Sequence, residues 1–314
     1  MLKQILGRLS PSGQRARLSV LIFHRVLARP DPLFPDEMDA ARFDQLCGWL
    51  KSWFNVLPLD QAVASLRSGS LPARAACITF DDGYADNHAV ALPILRRHGL
   101  CATFFIATGF LDGGRMWNDT IIETIRACPQ ATLDLDALGL GRHAVASIDE
   151  KRAAITAVID SIKYRPVAER VAVTEQLAAL ARVQPPQDLM MSSQAVREMR
   201  QAGMQIGAHT VSHPILARLT TDQVRDEIGQ SKLFLERLLG ERVGLFAYPN
   251  GKPGVDYHAD SVAVARELGF DAAVSTHWGA ARPATDMFQI PRFTPWDRTR
   301  LRFAGRMATN LLRP

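Results

Sequence analysis

Short apolar runs recur along the chain, separated by longer stretches with helical spacing. Leu18 to His24, Ala75 to Phe80, Cys101 to Thr108, Met204 to Ala208, Leu245 to Tyr248, Ala272 to Thr276 and Phe288 to Phe293 are the seven runs. They are short, apolar throughout and rich in β-branched and aromatic residues, which marks buried strands. Between them, Ala40 to Trp53, Leu59 to Arg67, Asn87 to His98, Ser192 to Gln201, Thr220 to Leu239 and Tyr257 to Leu268 place apolar residues at helical intervals, and a last helix covers roughly Asp297 to Leu312. Gly99, Gly203, Gly240 and Gly269 stop four of these helices, and Thr220 or Thr221 caps the longest. Strand alternating with helix predicts a parallel α/β fold, a barrel rather than an open sheet. No Gly-x-Gly-x-x-Gly follows the first run, which argues against a dinucleotide fold.

Residues 109–191 break the rhythm. Gly113-Gly114 leads into mostly helical, polar sequence that Pro185-Pro186 closes. This predicts a helical insertion on a strand-to-helix loop, which in a β/α barrel opens toward the active-site face. It serves either as a lid or substrate wall, or as a passive appendage.

The polar residues are informative by where they fall. His24, Asp81, Asp82, His209, His213, Asn250 and Arg292 all sit at or just past the C-terminal ends of predicted strands. In a β/α barrel those ends form one face, where catalytic groups gather. The run ending at Phe80 stops at two adjacent carboxylates. They repel, so a cation neutralises one while the other stays free as a base. The run ending at Ala208 stops at two histidines four apart, which can face one cation from a single turn or tight loop. Asp82, His209 and His213 thus make an oxygen–nitrogen–nitrogen set that leaves a position for water, as catalytic zinc sites do. Cobalt, nickel or iron also suits these ligands. Taken alone, the Asp pair reads as a helix cap and the histidines as loop residues. Their shared placement favours a divalent-metal site. Asp86 and Asn87 read as the cap of the helix that follows.

Thr-Phe-Asp-Asp-Gly at 79–83, His-Thr-x-x-His-x-x-Leu at 209–216 and Tyr-Pro-Asn-Gly at 248–251 resemble the motifs of polysaccharide deacetylases, the family 4 carbohydrate esterases. The resemblance runs from about Val20 to Phe293. It implies a distorted seven-stranded (β/α) barrel within one domain, 1–314, and metal-dependent hydrolysis of the acetamide of an N-acetylated sugar. Asp82, His209 and His213 would hold the metal, most simply zinc. Asp81 would be the base, and the backbone N–H of Asn250 an oxyanion donor. Two positions depart from the family pattern. An arginine usually stands two residues before the proline of the third motif, where this chain has Ala247. The last motif usually carries a histidine as general acid, where this chain has Arg292. The expectation is that the roles are redistributed. Arg292 orients Asp81 bidentately, and His24 is the acid because it ends the first strand on the same face, with His277 as its rival. Trp117 and Tyr248 are expected to contact sugar, with Asp119 and Trp278 as further candidates. The alternatives are a catalytically degenerate carbohydrate-binding protein and an amidase on a small non-sugar amide.

Composition adds location. The 314 residues are 47% hydrophobic, enough for one large domain. No apolar run reaches the roughly 18 residues that cross a bilayer. The N-terminus lacks the apolar core of a secretory signal, and the four cysteines show no paired spacing, so the cytoplasm is the expected compartment. The net charge of +5 is concentrated at the ends: residues 1–25 hold five basic residues and no acid, and residues 292–314 hold six arginines against Asp297. Leu2, Ile5, Leu6 and Leu9 accompany the first group, and Leu301, Phe303, Met307 and Leu311 the second. Basic amphipathic ends suit either two helices packed on the domain or contact with the inner face of a membrane, where lipid-linked glycans are made. Nucleic acid is not an expected partner.

Overall fold

The apolar runs become strands that curl into an open barrel. A computed structural model describes residues 2–313. Helix α1 (Leu2–Leu9) precedes β1 (Leu18–Phe23), followed by α2 (Ala40–Trp53), β2 (Asn55–Val56), α3 (Leu59–Ser68), β3 (Ala75–Phe80), α4 (Leu92–His98) and β4 (Thr103–Ile106). The inserted segment holds α5 (Trp117–Ala127), a hairpin of β5 (Thr132–Asp134) and β6 (Arg142–Ala144), α6 (Ile148–Ile162) and α7 (Val167–Leu180). Then come α8 (Ser193–Gln201), β7 (Gln205–Ala208), α9 (Thr221–Leu239), β8 (Leu245–Ala247), α10 (Ala259–Glu267), β9 (Ala272–Val274) and α11 (Arg300–Leu312).

The sheet order is β1-β3-β4-β7-β8-β9, every pair parallel, with β2 alongside β3. All six residues of β1 and of β3 are buried, as parallel strands covered by helices must be. The expected seventh strand, Phe288 to Phe293, does not form a continuous ladder. It closes the gap between β9 and β1 through two isolated bridges, Val274 to Ile290 and Leu21 to Phe293. Pro291 between them has no N–H to give, which is the reason the ladder breaks.

Helix ends follow local chemistry. Thr220 caps α9 in a reciprocal box with Gln223, and Gly240 ends it in the left-handed conformation. One expectation needs correction. Asp86 makes no cap contact with the helix after it, and Asn87–Ala91 form a wide π-type turn before α4. Within the insertion, the β5–β6 hairpin sits between α5 and α6. It carries its own apolar cluster, built on Ile125, Leu133, Ile155, Val158 and Leu177, which also takes in Leu33 from the loop after β1.

Candidate active site

The C-terminal ends of β1, β3, β7 and β8 converge on one cleft of about 380 Å³, lined by His24, Asp82, His213 and Asn250. Asp81 and Asp82 lie just past β3, 3% and 6% exposed. Oδ1 of Asp82 stands 3.4 Å from Nε2 of His209 and 3.4 Å from Nε2 of His213. It has no hydrogen-bond partner. The ligand-type atoms of these three residues all fall within 4.8 Å of one another. Nδ1 of His209 lies 2.8 Å from the carbonyl oxygen of Ala247. That contact calls for N–H at Nδ1, which leaves the lone pair of Nε2 facing Asp82. An unpartnered carboxylate oxygen between two imidazole nitrogens is a donor set that fits a divalent cation.

The backbone is bent to achieve this. Asp82 (φ 75°), Thr210 (φ 67°), His213 (φ 51°) and Asn250 (φ 58°) all take the left-handed conformation. Each costs on the order of 1–2 kcal/mol for a residue with a Cβ, and such strain persists where the surroundings over-determine it. Here they do. The N–H groups of Thr108 and Gly109 donate to the carbonyls of Thr210 and Val211 at 3.1 and 2.8 Å. Glu227 of α9 accepts from the N–H groups of Val211 and Ser212, both at 2.9 Å, and from the Ser212 hydroxyl at 2.6 Å.

Arg292 is fully buried and faces Asp81 in a fork. Nη1 donates to Oδ1 and Nη2 to Oδ2, both at 2.7 Å. Nε donates to the Ser275 carbonyl at 3.0 Å, and Nη1 also reaches the Thr79 hydroxyl at 3.1 Å. Burial opposes ionisation of Asp81, but the guanidinium outweighs it and holds the carboxyl below its ordinary range. Asp82 is likewise held low, since its histidine neighbours outweigh its burial. Burial pushes His213 down to about 4, whereas the two carboxylates overcome burial at His209 and raise it.

His24 is exposed and lines the cleft with Asp82 and His213. The loop that carries it is tied to the turn after β3. Asp86 accepts from Nε of Arg25 at 2.8 Å and from the N–H of Val26 at 2.9 Å, and Asn87 donates to the His24 carbonyl at 2.9 Å. His277 does not line the cleft; its carbonyl accepts from the N–H of Arg292. Trp117 opens α5 and lines the cleft, with the Arg170 guanidinium 5.0 Å from its ring centre. Asp119, two residues on, is 4% exposed and hydrogen-bonded by the Tyr84 hydroxyl at 3.3 Å, and its Oδ2 has no partner.

Tyr248 is a correction. Its side chain is fully buried, stacked on Tyr257 at 3.8 Å between ring centres and edge-on to Phe246, and it does not reach the cleft. Trp278 also packs elsewhere, against Phe293 and Arg313. Sequence reasoning did not find Glu227, Arg25 or Arg170. Glu227 is one acid among several on a long helix, and nothing in its neighbours marks it.

The strand ends of this parallel barrel gather a carboxylate pair and two histidines on one face. The chain is a member of the polysaccharide deacetylase family, whose profile matches residues 68–135 and 143–273, more than half of its length. YxkH of Bacillus subtilis strain 168, named for the same family, is 22% identical over 279 residues, 88% of this chain and 71% of that protein. Among solved structures, IcaB from Ammonifex degensii superposes with a TM-score of 0.62 at 18% identity, over 97% of this chain and 99% of that one. The Streptococcus pyogenes deacetylase PplD, solved in complex with acetate, gives 0.59 at 20% identity, over 89% and 92%. At these identities the superpositions establish the fold.

Proposed function

We propose that this protein removes the acetyl group from an N-acetylated sugar within an oligo- or polysaccharide, with a divalent cation held by Asp82, His209 and His213. The observation that carries this reading is the unpartnered Oδ1 of Asp82 between two imidazole nitrogens, beside a second carboxylate gripped by a guanidinium. Zinc suits the donor set, and cobalt or nickel is compatible with it. When bound, the cation would polarise the acetamide carbonyl and make water a better nucleophile.

The chain's own residues do the rest. Asp81 accepts the proton of the attacking water, and Arg292 keeps it ionised and fixes its plane. Both of its oxygens are hydrogen-bonded by Arg292, but each keeps a further lone pair, and Oδ2 faces the site, 3.9 Å from Nε2 of His209. The backbone N–H of Asn250 meets the developing oxyanion. His24 returns a proton to the leaving amine. Cleft position supports His24 over His277 in that role. Trp117 offers a ring edge and face to the sugar.

The same reading extends to place. The basic ends support peripheral contact with the inner face of a membrane, and hence a lipid-linked or nascent exopolysaccharide substrate. The deciding test is acetate release from N-acetylated oligosaccharides, with and without chelator, for wild type and Asp81→Asn. Chelator-sensitive release that the substitution abolishes supports the assignment. Release that survives both treatments overturns it. Glycan binding without release would favour a carbohydrate-binding role.

A further inference from the structure

We propose that Arg170 marks an anion subsite in the wall of the cleft, taking a phosphate or carboxylate of the substrate next to the acetamide. The inference rests on the glycan reading above, and it narrows the substrate to an anionic glycan or a glycan phosphate.

Three lysine or arginine side chains are buried among the described residues: Arg170, Lys232 and Arg292. Arg292 pairs with Asp81, and Lys232 with Glu236. Arg170 pairs with no carboxylate. Its Nε has no partner, and Nη1 reaches the Lys163 carbonyl only at 3.5 Å. The face of the Trp117 ring lies against it, 5.0 Å from the guanidinium carbon to the ring centre. Burial lowers its pKa, and no carboxylate acts to raise it. Buried cations are ordinarily paired, because desolvation penalises an isolated charge. A guanidinium fork left free in a cleft wall is shaped to meet an oxyanion through two parallel hydrogen bonds.

Its position gives the subsite a purpose. Arg170 lines the cleft that holds Asp82 and His213, and also a cavity of about 780 Å³ beside it. Lys163, Arg165 and Arg218 line that second cavity. Of the two acids there, Glu227 is engaged by the 211–212 backbone and Asp226 is exposed to solvent. Helix α7 begins after Pro166 without a side-chain cap, and Pro166 and Val167 line the same cavity, so the positive end of the helix adds to the field. The other buried carboxyl of the cleft, Asp119, is hydrogen-bonded by Tyr84 and lies in the field of Arg25.

Calorimetric titration tests this with four probes: N-acetylglucosamine, N-acetylglucosamine 1-phosphate, an N-acetylhexosaminuronic acid and inorganic phosphate. The wild-type protein should bind at least one charged sugar about tenfold or more tightly than the neutral one. Which charged sugar is preferred identifies the oxyanion. Arg170→Met should remove the preference and Arg170→Lys should keep part of it, with thermal melts showing that each variant folds. If neutral and charged sugars bind alike to the wild type, or the preference survives Arg170→Met, the subsite is wrong. If no sugar binds but inorganic phosphate does so through Arg170, the subsite stands and the glycan reading falls. If neither phosphate nor any charged sugar binds, the subsite falls.

Discussion

At Asp81, burial alone would favour the protonated acid, and the bidentate contact with Arg292 reverses that preference. Arg292→Met therefore leaves an unpaired buried carboxylate. We expect a loss of about 3–5 kcal/mol in denaturant unfolding, along with turnover. Arg292→Lys restores the charge but not the fork, so it should recover more stability than activity. Asp81→Asn keeps the shape and removes the base. Its turnover should drop by roughly 10²–10⁴ with KM little changed, and a variant of near-normal turnover would sink the assignment. Asp119 shows the opposite electrostatics, because burial without a paired cation raises its carboxyl to about 7. Between about pH 4 and pH 7 the unfolded chain has ionised this group and the folded chain has not. The folded state binds the extra proton, so the stability contribution is present at low pH and lost as pH rises through that window, by about 4 kcal/mol at most. Asp119→Asn should gain on the wild type in urea unfolding as pH rises from about 4 to 8. Parallel stability curves would show that the carboxyl is not held neutral. At this scale the sequence displays residue types at strand ends. It cannot display which donor meets which oxygen, so Asp86 looked like a helix cap when it ties down the loop of His24.

The histidine-bearing loop shows why single elements matter more than single ligands. Residues 209–213 contain two left-handed residues, and Glu227 and the β4 end hold them there. Glu227 has no place in the donor set. Even so, Glu227→Ala should weaken metal affinity about 10–100-fold by freeing the loop, as measured by competition with a coloured chelator. Gly109→Ala should act in the same direction, since a Cβ there would lie 2.7 Å from the Val211 carbonyl oxygen. Unchanged affinity in both variants would mean the loop is rigid by itself. The legibility of elements has the same physical basis. Strands buried on both faces leave continuous apolar runs, so β1, β3 and β7 could be read directly. The β5–β6 hairpin has three-residue strands, mostly solvent-facing, and leaves no run to read. Tyr248 follows Phe246 by two, and strand alternation sends both rings to the same packed side, a signal the motif reading overlooked.

Across the whole molecule, the charge of the two ends is brought together, because α1 packs beside α11. Their inward residues, Leu6, Phe303, Met307 and Leu311, join the main core. What faces outward is mixed: Lys3, Arg8, Arg300 and Arg302 are exposed, and so are Ile5, Leu301 and Leu312. Leu301 is 85% exposed and Trp296, just before the helix, 60%. No helix among the described residues is long and apolar enough to cross a membrane. Trp296 also lines a cavity with His24, which would set the rim of the cleft beside the lipid. Such a face should bind vesicles rich in anionic lipid, release them as salt rises, and ignore neutral vesicles. Each basic residue near the surface contributes about 1 kcal/mol, so a triple Lys3→Gln, Arg8→Gln, Arg302→Gln variant should bind roughly a hundredfold more weakly in cosedimentation. Leu301→Gln should weaken binding at every salt concentration, because it removes apolar contact and leaves the charge unchanged. None of these residues lines the cleft, so turnover of a soluble oligosaccharide should be unchanged in all of them. If the substituted proteins cosediment like the wild type, the basic ends are solvated helix faces. If binding falls but a lipid-linked substrate is turned over as fast as before, the ends hold the protein at the membrane without presenting its substrate.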